Sequence, residues 1–310
     1  MPVEKSAFTF TSSDGKTEVF ASSWQTAGEN PRVVLQISHG MVEYMDRYDD
    51  FARFICGQGG AVYGNDHLGH GRTGENAGLL GCFAENDGAA HVVDDLCKLT
   101  TLIKEKHPGV PVFLLGHSMG SFIARVYATK YAAGLSGVIF MGTAGKNPFT
   151  GLLRALARLG CLFGGAKKPA NFISKLAFGA HTAKIPDAAS KNDWLSRDKD
   201  IVAAYDADPW CTYRFTNRAF YDLSKLLSAI EGPAWAEKLD KEAPYLLVSG
   251  EMDPVGGYGA GVREVYGLMQ NAGVKQVEMK LYPGARHEVL NETNRQEVYG
   301  DLLNWITGHL

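Results

Sequence analysis

A serine between glycines, in Gly116-His117-Ser118-Met119-Gly120, follows the apolar run Val112 to Leu115 directly and precedes a helix-like run, Phe122 to Tyr131. This is G-x-S-x-G in a strand–turn–helix setting, where a Cβ at either glycine would collide with the neighbouring strand or helix. Ser118 is therefore expected on a strained turn, with the Met119 N–H and the helix dipole facing any negative charge that develops beside it. A hydroxyl is a poor nucleophile near neutral pH; it needs a histidine to take its proton and a carboxylate to orient that histidine. With this kind of elbow the acid follows along the chain, and the histidine follows the acid. Asp253, in Gly250-Glu251-Met252-Asp253-Pro254, lies just past the apolar run Tyr245 to Val248. His287, in Gly284-Ala285-Arg286-His287-Glu288, lies between a last strand and a last helix. Glu251 and Asp240 are the rival acids. Among nine histidines only His287 meets both order and strand-end placement, since His181 falls in the middle of the chain's insertion, His309 at the terminus, and His91 and His107 beside a helix.

These residues need a frame. β-Prone segments at 6–11 and 17–24 flank Ser13-Asp14-Gly15 and predict an opening antiparallel hairpin. Val33 to Ile37, Ala61 to Tyr63, Val112 to Leu115, Val138 to Met141 and Tyr245 to Val248 are short apolar runs, the pattern of strands buried on both faces. Between them, Tyr48, Phe51 and Ile55, and Val92, Leu96, Leu99 and Ile103, recur at helical spacing. A final strand near Val274 to Tyr282 and a helix carrying Val298, Leu302 and Ile306 complete the set. Alternating strand and helix predicts a mainly parallel sheet with helices on both faces and functional residues at the carboxyl ends of the strands. Residues 144–232 break the rhythm and read as an inserted helical cap, leaving 1–143 and 233–310 as the core. Within the cap, Leu152, Leu153, Leu156, Leu159, Leu162, Phe163, Phe172, Ile173, Leu176 and Phe178 have the spacing of helices packed on a core, some of them free to hold an acyl chain.

Taken together, His39-Gly40-Met41, Asp66-His67-Leu68-Gly69-His70-Gly71-Arg72, Gly116 to Gly120, the Gly-Glu-Met-Asp segment and the His287 loop resemble the monoacylglycerol lipase and lysophospholipase family, also described as serine aminopeptidase-like. The likeness runs through most of the chain and is weakest in the cap. It implies the α/β-hydrolase fold, a mostly parallel eight-stranded sheet with helices on both faces and an inserted helical cap. It also implies an oxyanion hole made by the Met41 and Met119 amides, with His39 and Gly40 shaping the first half. Met41 stands where the family commonly has a small residue, and Ser121 where a second glycine is common, so the width of the acyl pocket is expected to differ. His39 and His117 adjoin the site without being placed as the base; fixing the two loops by hydrogen bonds is their expected role.

Composition narrows the class. With 310 residues, 45% hydrophobic and 21% charged, the chain is expected to be compact throughout, and its net charge of -3 offers no broad basic surface for nucleic acid. Cys56, Cys82, Cys97, Cys161 and Cys211 are scattered and odd in number, so reduced thiols and, with no signal-like start or spanning apolar stretch, a cytoplasmic location are expected. His67-x-x-His70 beside Asp66 lacks a further ligand and Gly142 to Lys146 has the wrong glycine spacing for a phosphate loop, so neither metal nor cofactor is expected. The expected reaction is hydrolysis of single-chain lipid esters, of the monoacylglycerol or lysophospholipid kind, through an acyl-enzyme intermediate. The partner is then a small acyl ester, with transient membrane or micelle contact open to the cap. An amidase or aminopeptidase would use the same triad, an aminopeptidase with an acidic group such as Asp193, Asp198, Asp200, Asp206 or Asp208 to hold an ammonium; a non-catalytic ligand receptor is the third reading.

Overall fold

Along the strand Val112–His117, Phe113 and Leu115 point to one face and Leu114 to the other, and all three are buried, so this strand can only sit between two layers. The computed structural model, which describes residues 1–186 and 188–310, has eight such strands in one sheet. They are β1 (Val3–Thr11), β2 (Glu18–Thr26), β3 (Val33–Ser38), β4 (Gly60–Asn65), β5 (Val112–His117), β6 (Gly137–Met141), β7 (Pro244–Gly250) and β8 (Gln276–Tyr282). Their spatial order is β1-β2-β4-β3-β5-β6-β7-β8. β1 and β2 form the antiparallel hairpin, β2 joins β4 antiparallel, and the rest of the sheet is parallel.

Two apolar layers clamp the sheet. Helices Asp49–Gly57 and Arg295–Gly308 bury Phe51, Ile55, Val298, Leu302 and Ile306 against Leu35, Ile37, Phe113 and Leu115. On the other face, helices Gly88–Lys106, Met119–Ala128 and Ala260–Asn271 pack Val92, Leu96, Ile123, Val262 and Val265 over Leu114, Val138 and Leu247. The helix after the elbow starts at Met119, three residues earlier than its apolar pattern suggested, because the chain turns into it directly from Ser118.

Between β6 and β7 the chain forms helices Thr150–Leu159, Asn171–Phe178, Lys199–Ala207 and Asn217–Ala229 and contributes no strand to the sheet. The last of these is a core helix in all but connectivity: Ala219, Phe220, Leu223 and Leu226 are buried in the same cluster as Phe122 and Val126. The outer part contradicts the packing expected for its apolar residues. Ile173 is buried and Leu153, Leu156 and Phe178 half-buried, but Leu152, Leu159, Leu162, Phe163, Phe172 and Leu176 are exposed, Phe163 to 85%. Helical spacing reports an apolar stripe; it does not report whether anything lies on it.

Candidate active site

The elbow is built as its glycines require. Ser118 has φ 53° and ψ −121°, a sparsely populated backbone conformation, and is half-buried at the end of β5. A Cβ on Gly116 would strike the Gly120 carbonyl and lie 2.7 Å from Ala124 Cβ, and one on Gly120 would strike the Ser38 carbonyl. Ser121, at the position where family members commonly have glycine, is fully buried and donates its hydroxyl to the Ser118 carbonyl at 2.6 Å. It therefore braces the elbow and does not line the cavity, contrary to the expectation that it would alter pocket width; Met41 does line it.

Asp253 and His287 come together at the ends of β7 and β8. Asp253 is fully buried, with its Oδ1 2.9 Å from His287 Nδ1. The separation is within hydrogen-bonding reach. Ser249 Oγ donates to Asp253 Oδ2 at 3.0 Å and the Val255 N–H to Oδ1 at 2.8 Å. Burial alone would raise the Asp253 carboxyl, but His287 and these donors outweigh it and hold it below the ordinary carboxylate range. Glu251, the rival, is exposed, and its N–H is spent on the Tyr282 carbonyl. Ser118 and His287 face one cavity of about 750 Å³.

Gly40 brings the other loop in: a Cβ there would lie 3.1 Å from Ser118 Cβ. The N–H groups of Met41 and Met119 donate to no acceptor among the described residues. His39 Nδ1–H donates to the Gly40 carbonyl at 2.8 Å while its Nε2 accepts the His67 N–H at 2.9 Å, tying the loop to the 66–72 segment. His39 lies tilted on His67 at 4.3 Å and edge-on to His70 at 5.2 Å, and burial pushes His39 down to about 4 and His70 down to about 3. Asp66 is engaged structurally, its carboxylate accepting the Met45 and Arg72 N–H groups.

Beneath Ser118 lies a charge network that inspection of the chain passes over. Glu43 Oε1 accepts from Tyr48 OH at 2.9 Å and lies 2.9 Å from His117 Nδ1, and it also receives the Gly40 N–H. Arg47 bridges Glu43 Oε2 at 3.1 Å and both oxygens of Glu288 at 2.7 Å. Burial would raise Glu43, but His117 and Arg47 outweigh it and hold it far below its usual range; Glu43 in turn raises His117. The network joins the oxyanion loop, the elbow and the residue after His287. A local signal existed only in the i,i+4 Glu43–Arg47 pair.

The cavity is walled by Phe122, Leu153, Phe178, Phe215, Leu223 and Leu227 among others. Among the described residues its carboxylates are Glu43 and Glu288, both already paired. The aspartates considered for an ammonium site do not line it: Asp198 caps a helix and meets Arg295, Asp206 accepts from Ser190 and Asn192, and Asp208 accepts from Tyr44.

A family profile described as serine aminopeptidase, S33, matches residues 29–294. A monoacylglycerol lipase of Mycolicibacterium smegmatis is 31% identical over 96% of this chain and 95% of its own. The human monoglyceride lipase is 27% identical over 93% of this chain and 86% of its own. A solved structure of a thermostable carboxyl esterase from Bacillus coagulans in complex with glycerol superposes with a TM-score of 0.92 at 33% identity, covering 98% of both chains. Geometry and likeness agree: the chain belongs to the serine aminopeptidase, S33, family of α/β-hydrolases and is an ester hydrolase.

Proposed function

We propose that the protein hydrolyses single-chain lipid esters, of the monoacylglycerol or lysophospholipid kind, through an acyl-enzyme on Ser118. The observation that carries this reading is the apolar cavity of about 750 Å³ opening onto a half-buried serine beside a histidine–aspartate pair. That volume suits a flexible acyl chain, within the range of about 300–1,000 Å³ common for small-molecule sites. Ser118 Oγ attacks the ester carbonyl as His287 Nε2 takes its proton; the Met41 and Met119 N–H groups receive the oxyanion. His287 then protonates the departing alcohol, and water repeats the sequence to release the fatty acid. Asp253 keeps the imidazole in the tautomer with Nδ1–H and stabilises its charged form. An aminopeptidase reading is disfavoured because no unpaired carboxylate among the described residues faces the cavity.

In this reading residues 144–232 cap a core made of 1–143 and 233–310, and the cap's outer face is the contact with lipid. Residues 144–186 carry Lys146, Arg154, Arg158, Lys167, Lys168, Lys175 and Lys184 with no Asp or Glu, beside exposed Leu162, Phe163, Phe172 and Leu176. Apolar groups rimmed by cations fit an anionic bilayer surface. No described helix is long and apolar enough to cross one. The test is a fluorophosphonate probe followed by a substrate panel. Labelling at Ser118 and preference for monoacylglycerols or lysophospholipids over aminoacyl anilides support the reading; labelling elsewhere, or anilide preference, overturns it. Sedimentation with phosphatidylglycerol against phosphatidylcholine vesicles tests the contact, and equal partitioning of wild type and Phe163→Ser refutes it.

A further inference from the structure

The imidazole of His287 packs against two rings. His117, from the elbow, has its ring centroid 4.9 Å away at 42°, and Trp194 lies 4.9 Å away at 41°. His117 belongs to the core. Trp194 comes from the segment between β6 and β7, and His181 meets it edge-on at 4.7 Å.

The backbone around Trp194 is fastened to the histidine loop more firmly than a swinging lid would be. The His287 N–H donates to the Trp194 carbonyl at 3.3 Å and the Glu288 N–H to the Leu195 carbonyl at 2.7 Å. Arg286 Nη1 donates to the Asp193 and Ser196 carbonyls at 2.6 and 2.8 Å. Ser196 Oγ donates to the Asn291 carbonyl at 2.8 Å, and Arg197 Nε meets Glu292 Oε2 at 2.8 Å. If this segment swung away it would strand buried N–H groups on either side of the base. The 193–197 stretch is thus part of the seat of His287, whereas the exposed 149–176 stretch has no such tether to it.

We propose that Trp194 is a positioning residue for His287: its indole packs against the imidazole and stabilises the imidazolium that forms when Ser118 gives up its proton. An indole face attracts a cation, and the attraction strengthens as water is excluded. The interaction is larger in the transition state, where the ring is charged, than in the ground state, so it appears in kcat and not in KM. The other charges near the ring are Asp253 at Nδ1, the His117–Glu43 pair and the Arg47–Glu288 pair beyond; Trp194 is the neutral partner among them.

The proposal rests on His287 being the base, so the experiment separates the two. Trp194→Phe, Trp194→Tyr, Trp194→Leu and Trp194→Met are compared on a soluble p-nitrophenyl butyrate substrate, each rate divided by the competent sites counted from completed fluorophosphonate labelling, with His287→Ala as the control, its rate divided by total folded protein. The aliphatic variants should lose about tenfold in kcat with KM within about twofold, while Phe and Tyr stay within about threefold of wild type. Normalising by labelled sites removes any loss from misfolding, and two aliphatic variants guard against one that fails to fold. Aliphatic variants equal to aromatic ones, or a loss in KM alone, overturn the proposal. An inactive His287→Ala beside a normal Trp194→Leu sinks this inference alone; an active His287→Ala sinks the base assignment and the inference together.

Discussion

Acidification should destabilise this protein steeply, and the cause is the histidine cluster behind the loop that carries Gly40 and Met41. His39, pushed down to about 4, His70, down to about 3, and His67, well below its ordinary value, are neutral in the fold because burial disfavours the imidazolium. His39 cannot take a second proton without losing a bond, since its Nε2 accepts the His67 N–H. In the unfolded chain each ring titrates near 6.5. The folded values lie below the unfolded ones, so the unfolded state binds more protons, and stability complete above about pH 6.5 is lost as pH falls. Between pH 7 and pH 5 His39 and His70 each cost about 2 kcal/mol, about 4 kcal/mol together, and His67 adds to the loss in the same direction. His181, down to about 4, adds to the loss. Asp66, raised to about 6 by burial, takes up a proton in the fold and returns about 1 kcal/mol, and His117, raised by Glu43, returns some as well. A net loss of several kcal/mol is a large share of the whole stability of many domains. Guanidinium unfolding at intervals from pH 5 to pH 8 measures it, with His70→Gln as the single-site control. The variant should lower the slope near pH 5.5 by about 1.2 kcal/mol per pH unit. A flat profile from pH 7 to pH 5, or an unchanged slope in His70→Gln, would refute the reasoning.

Other outcomes follow from the site's construction. Arg47→Met should cost about 3–5 kcal/mol in denaturant unfolding, because it leaves Glu43 and Glu288 buried without their bridge; a loss below about 1 kcal/mol would show the bridge to be dispensable. Asp253→Asn should lower kcat by about 10⁴-fold while Glu251→Gln stays near wild type, and the reverse pattern in steady-state rates would reassign the acid. Gly120→Ala should give little soluble, probe-reactive protein, since its Cβ would strike the Ser38 and His39 carbonyls; a normally labelled variant would contradict that packing.

Short-range sterics and period-two patterning made much of the molecule legible before any coordinates. The elbow is legible because glycine at 116 and 120 is a local necessity of the turn, and the strands because their runs are apolar on both faces. The order serine, acid, histidine narrowed the partners to Asp253 and His287, yet Glu251 stood only two residues away. Burial separated them, and burial depends on what the folded chain lays over each position.

The remaining decisions were tertiary. Arg47 and Glu288 are 241 residues apart, and no local pattern could pair them; their contact exists because the sheet brings the ends of β3 and β8 to one edge. Trp194 reads as one aromatic residue among many until the chain folds its face onto His287. Cap leucines and phenylalanines repeat at helical spacing, and only the fold shows that six of them meet no core. Periodicity and turn chemistry act between residues near in sequence, so the chain itself determined the sheet and the elbow that carries Ser118. Burial and long-range pairing depend on every element that arrives from elsewhere, and the tertiary structure alone decided which carboxylate meets His287, which charge network lies beside it and which residues between β6 and β7 surround Ser118.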